Sequence, residues 1–180
     1  RRAFPSFDEP ALKATFALSA TIDVGDTAIS NGRVLSDTPG PGPGKHTVTF
    51  ATTKRMSPYL VALLVGDWDC IRGDSDGIPI RLCGTPDRKD ELGFALESAA
   101  FALRYFNRYF SIKYPFEKLD FLASPTHASA MENAGLVVFQ DRYILLDSTA
   151  PARQLRDFSE ISAHELAHQW FGNLVTPTWW

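Results

Sequence analysis

The feature that most limits the fold is a change of hydrophobic period near residue 84. Upstream, apolar residues alternate: Phe16, Leu18, Ala20 and Ile22 share one face over residues 13–24, and Val48 with Phe50 does so over 46–51. A period of two marks half-buried strands. Residues 36–45, SDTPGPGPGK, are too dense in proline and glycine for a helix or an inner strand, and are expected to form a surface loop. Residues 59–69 read as a buried strand, and 74–77 as a turn whose return strand is 78–82. Downstream, Leu92, Ala95, Leu96, Ala99, Leu103, Phe106 and Phe110 recur every three or four positions. That spacing predicts an amphipathic helix over 90–110, closed by Pro115. Short strands are expected at 119–123 and 136–139, and a second helix over 154–171 with Gly172 as its cap. The expected class is α+β, with a strand-only part over 1–84 and a mixed part over 85–180.

Composition narrows the partners. A formal net charge of -3 gives no attraction to nucleic acid or an anionic membrane. No apolar run reaches the roughly 18 residues of a membrane span. Cys70 and Cys83 could pair, but two thiols in buried strands are the expectation, which leaves the redox compartment open. The chain begins at Arg1 and stops on Trp179 and Trp180. Ending a domain on exposed tryptophans leaves apolar surface unburied, so a piece of a longer protein is expected.

Residues 164–168 read HELAH. At about 100° per residue, two histidines four apart lie one above the other on a helix, where both rings reach one metal ion. Zn²⁺ takes imidazole nitrogen readily, and a catalytic site keeps three protein ligands plus water. Glu165 flanks the same face and can take a proton from that water and pass it to a departing amine. Chance gives such a pattern in on the order of one in a few hundred chains of this length. Neither remaining histidine completes the site: His46 lies in the strand part, and His127 precedes a turn.

Three motifs together resemble one family. Positions 164–176, HELAHQWFGNLVT, are similar to the zinc helix of the alanyl, puromycin-sensitive and leukotriene-hydrolase aminopeptidases. Ser129-Ala130-Met131-Glu132-Asn133 resembles that family's Gly-Ala-Met-Glu-Asn exopeptidase motif, and residues 1–16 and 114–121 resemble segments of its N-terminal and catalytic domains. The resemblance implies the end of an all-β, saddle-like N-terminal domain over 1–84. A thermolysin-like α/β catalytic domain would then begin over 85–180 and be cut at the zinc helix.

It further implies that His164 and His168 bind zinc, that Glu165 is the general base, and that Glu132 binds the free amino group of a peptide. Ser129, Ala130, Met131 and Asn133 complete the implied substrate-binding set, with backbone groups of Ala130 and Met131 facing the peptide. A carboxylate is also what recognition of a terminal ammonium requires chemically. Ser129 replaces the family's glycine, which would cost about 1 kcal/mol or more if φ had to be positive.

The family's third zinc ligand lies eighteen intervening residues past the second histidine, hence beyond Trp180. Its transition-state tyrosine lies further on, and a second amine-binding residue precedes Arg1. The expected function is a zinc-dependent aminopeptidase acting on peptides with a free N-terminus. The isolated chain is expected to hold zinc weakly and to show little activity. A leukotriene-hydrolase-like member that also opens an epoxide is the alternative, and a non-catalytic scaffold is disfavoured by the retained motif residues.

Overall fold

In the computed structural model, which describes residues 3–179, the strand-rich part precedes a mixed sheet carrying two long helices. Arg1 and Arg2, which open the first family-like segment, and Trp180, at the expected cut, lie outside the described residues. Strand β1 (Ser19–Asp23) pairs antiparallel with β4 (Lys45–Phe50), which pairs on its other side with β3 (Val34–Pro39). A separate ribbon joins β2 (Thr27–Ser30) to β5 (Leu63–Gly66). Ile22, Ala28, Val48 and Phe50 form the core between these pieces. The alternation read for residues 16–22 is the alternation of burial along this segment.

Two expectations in this part need correction. Residues 36–39 are not loop but the end of β3, an edge strand with every residue exposed. Proline is tolerated there because an edge leaves one set of backbone donors unused. Residues 59–69 are not one buried strand. A 3₁₀ turn at Pro58–Leu60 is followed by the four-residue β5, whose burial alternates because it belongs to a two-stranded ribbon.

The second sheet has the order β6–β7–β8–β10–β9, from Asp69–Ser75, Ile78–Gly84, Leu119–Ser124, Leu136–Gln140 and Ala130–Met131. The β6–β7 hairpin turns at Asp76 and Gly77, both at positive φ (53° and 77°). Asp-Gly favours that two-residue turn, whose twist matches the strands. The register it sets places Cys70 opposite Cys83, with Cα atoms 4.1 Å apart, and the two are joined in a disulfide. The expectation of two free thiols was wrong, because it treated the cysteines singly rather than as cross-strand neighbours. Strand β7 runs parallel to β8, so the sheet straddles residue 84, where the hydrophobic period changes. Alternation identifies a strand but not the sheet it joins.

Helix α1 (Gly93–Tyr109) covers one face of this sheet with Ala95, Ala99 and Leu103, beside Phe121, Phe139 and Phe158. It ends before Pro115: Ser111, at φ 52°, has already left the helical conformation. The other face meets the strand-rich part through Ile29, Leu122, Leu136 and Val138. Strand β8 is therefore buried on both faces, and its one charge, Asp120, is held by Arg81 and Lys118. A short helix α2 (Asp141–Ile144) leads to the second long helix, α3 (Ala152–Ala167). No helix among the described residues is long and apolar enough to cross a membrane.

Candidate active site

Helix α3 buries Phe158, Ser162, Glu165 and Leu166, a stripe of three- and four-residue steps packed on the sheet. Past Ala167 the chain continues in tighter turns, with Gln169 N–H donating to Leu166 O and Trp170 N–H to Ala167 O, each at 3.1 Å. The helix is thus shorter than the 154–171 expected, and His168 sits at its C-terminal boundary with helical φ and ψ. Trp170 anchors this end: it is buried among Phe106, Phe110 and Tyr114, and its indole N–H donates to Ile112 O at 3.0 Å. Gly172, at φ 118°, redirects the chain, and a Cβ there would stand 3.2 Å from His168 Nδ1. The residue expected as a helix cap instead keeps the second imidazole free of a clash.

His164 and His168 face the same side, their Nε2 atoms 3.1 Å apart. His168 Nδ1 lies 2.9 Å from Phe171 O, which assigns the proton to Nδ1 and leaves Nε2 with its lone pair outward. Tetrahedral zinc at about 2.0–2.1 Å from each nitrogen spaces neighbouring ligand atoms by about 3.3 Å, so the pair fits one ion. Glu165 is buried, and its Oε2 has no hydrogen-bond partner. Burial, and after it the charge of Glu132, push its carboxyl up to about 7 against the opposing influence of His168.

Glu132 comes from outside the helix. It follows β9, a two-residue edge strand paired antiparallel with β10. One potential ligand atom each from Glu132, Glu165 and His168 lie within 4.8 Å of one another. That trio and the histidine pair, which share His168, suggest different ligand sets. We favour the histidine pair, because two adjacent carboxylates repel and zinc takes imidazole without that cost.

Of the other residues singled out by the sequence, Ala130 and Met131 form β9, whose outer edge pairs with no strand among the described residues. Asn133 points into the fold: it is buried and donates to Leu60 O at 3.2 Å. Ser129 is exposed and not at positive φ, so the strain considered for it does not arise. His46 is remote from the site, bonded to Asp37 and to Asp26 O, and His127 is outside the converging group. The sequence reading missed Gln169, Asn173 and Asn31, whose buried amides hold the backbone of residues 132–135. Tyr59 was also missed; its hydroxyl is pushed up to about 12 by burial and then by the charge of Glu132.

Gly135 shapes this loop. Its φ is 70°, and a Cβ would meet Asn31 O at 3.2 Å and Lys118 O at 3.4 Å. Gly135→Ala is therefore expected to cost about 1–3 kcal/mol, from the left-handed backbone and the close carbonyls. Urea denaturation of the variant beside wild type measures it, and an unchanged midpoint would show that the loop yields freely.

Known proteins supply the comparison. A family model described as the Peptidase family M1 domain matches residues 94–180, and one described as the Peptidase M1 N-terminal domain matches residues 1–60. Over its whole length the chain is 43% identical to an aminopeptidase N of Acetobacter pasteurianus and spans 51% of that protein. It is 41% identical to a puromycin-sensitive aminopeptidase of Caenorhabditis elegans and 44% to an alanine/arginine aminopeptidase of Saccharomyces cerevisiae, spanning 19% and 21% of them. Both parts of one family thus fall in order along the chain, with identity carried from end to end, and the chain belongs to peptidase family M1.

Proposed function

We propose that the protein carrying this segment is a zinc-dependent aminopeptidase that removes the first residue of peptides. The observation that carries the reading is the convergence of Glu132 with Glu165 and His168 within 4.8 Å. With the histidines as ligands and Glu165 as the base, Glu132 is a carboxylate that the hydrolytic step itself does not use. Recognition of a terminal ammonium does need one, through charge-assisted hydrogen bonds. The names of the aligned aminopeptidases agree with it.

In this reading His164 and His168 hold the ion, and a third ligand comes from beyond Trp180. Bound zinc would polarise the scissile carbonyl and make water acidic enough to attack at neutral pH. Glu165 takes the proton of the attacking water and returns it to the departing amine. Glu132 receives the substrate's ammonium. The outer edge of β9, unpaired among the described residues, offers the backbone groups of Ala130 and Met131 to an extended peptide, as sheet edges do. Ser129, exposed beside that edge, is within the same substrate-facing segment.

Glu132→Ala tests the amine assignment in the full-length protein. For peptides with a free N-terminus, kcat/KM is expected to fall by about 10- to 100-fold, the equivalent of one charge-assisted hydrogen bond. N-blocked analogues should lose little, since they offer no ammonium. Equal losses on both substrates would assign amine recognition to another residue.

A further inference from the structure

Gln169 and Asn173 lie one and five residues past His168, and both are buried with 2% exposure or less. Gln169 Nε2 donates to Glu132 O at 3.2 Å, while its Oε1 accepts from Gly135 N–H at 3.1 Å. Asn173 Nδ2 donates to the same Glu132 carbonyl at 2.8 Å. Across the loop, Asn31 Nδ2 donates to Ala134 O at 2.9 Å and Asn133 Nδ2 to Leu60 O at 3.2 Å. A carbonyl withdrawn from water needs one partner; the partly buried one of Glu132 has two, both from the segment that carries the second histidine. Apolar side chains would fill the same volume, but only amides fix the direction of the peptide unit they hold.

We propose that Gln169 and Asn173 are positioning residues for amine recognition. By tying the Glu132 carbonyl to the segment after His168, they set the distance from the ammonium-binding carboxylate to the point of cleavage. That distance is what limits an exopeptidase to one residue, and small displacements of a reacting group are expensive. The proposal rests on the reading of Glu132 given above.

The test compares Gln169→Leu, Asn173→Ala and Glu132→Ala with wild type in the full-length protein. Calorimetry gives the affinity for an amino-acid hydroxamate and for the same hydroxamate without its α-amino group, and elemental analysis gives bound zinc. Gln169→Leu and Asn173→Ala are expected to keep their zinc and to bind the des-amino compound as wild type does. Their preference for the amino compound should fall about tenfold, the effect of a lost buried hydrogen bond. Equal weakening of both compounds, or of neither, would make the amides purely structural and overturn the proposal. An unchanged preference in Glu132→Ala would instead overturn the reading beneath it. If Gln169→Leu does not fold, Asn173→Ala makes the same comparison, since it leaves the Gln169 bond to the carbonyl intact.

Discussion

Glu165→Gln in the full-length protein is expected to keep its zinc and to lose kcat by about 10²–10⁴, the usual contribution of a positioned general base. The substitution is nearly isosteric, so the packing of Glu165 on the buried stripe of α3 survives. Neither expected ligand is changed: His164, one residue before Glu165, and His168, three after it, keep their Nε2 atoms 3.1 Å apart. What disappears is the capacity to accept a proton: an amide has none at any pH near neutral. KM should change little, since Glu132 and β9, the proposed peptide contacts, are unaltered. Steady-state hydrolysis of an aminoacyl anilide, with zinc measured on the same sample, separates the base from the metal. Turnover within about tenfold of wild type would remove Glu165 from the proton path.

The parts of this site that could be read in the sequence are those encoded by local spacing. Two histidines four apart on an apolar-striped segment specify one helix face, whatever the rest of the chain does. The Asp-Gly turn and the three- and four-residue steps of α1 are local in the same sense. Glu132 was legible only through its resemblance to a family motif, because a lone glutamate in a loop carries no signal of its own. The amides that hold it were invisible: Gln169 is 34 positions from Gly135 and Asn31 is 103 from Ala134. The joining of β6 and β7 to the downstream sheet and the pairing of Cys70 with Cys83 likewise depend on register. Hydrophobic patterning sets which face is buried, not what it is buried against. The early end of α3 was equally out of reach of helical periodicity, because the tighter turns past Ala167 go with the burial of Trp170 among Phe106, Phe110 and Tyr114.

The same loop is braced from beneath by charge, and removing that charge should unfold much of the protein's margin of stability. Asp120 is 2% exposed, takes two hydrogen bonds from Arg81 (3.1 and 2.6 Å) and one from Lys118 Nζ at 2.7 Å. Lys118 Nζ also donates to Gly135 O at 3.0 Å, so the ion cluster reaches the backbone that follows Glu132 and Asn133. Asp120→Ala would leave Lys118 buried with no carboxylate, a change worth about 3–5 kcal/mol. Burial already lowers the lysine's pKa, opposed by Asp120, and Arg81 lowers it a little more. Without Asp120 it falls further. Between that lowered value and the ordinary one near 10.4, the unfolded chain binds more protons than the folded one, so stability rises with pH. The deficit of Asp120→Ala is therefore larger at neutral pH than near the ordinary lysine value of about 10.4. Urea denaturation at both pH values reads the two effects together. Replacing Lys118 by methionine in the same variant should recover part of the loss at neutral pH, because the unpaired charge is gone. A deficit independent of pH and unrelieved by that second change would trace the damage to lost packing.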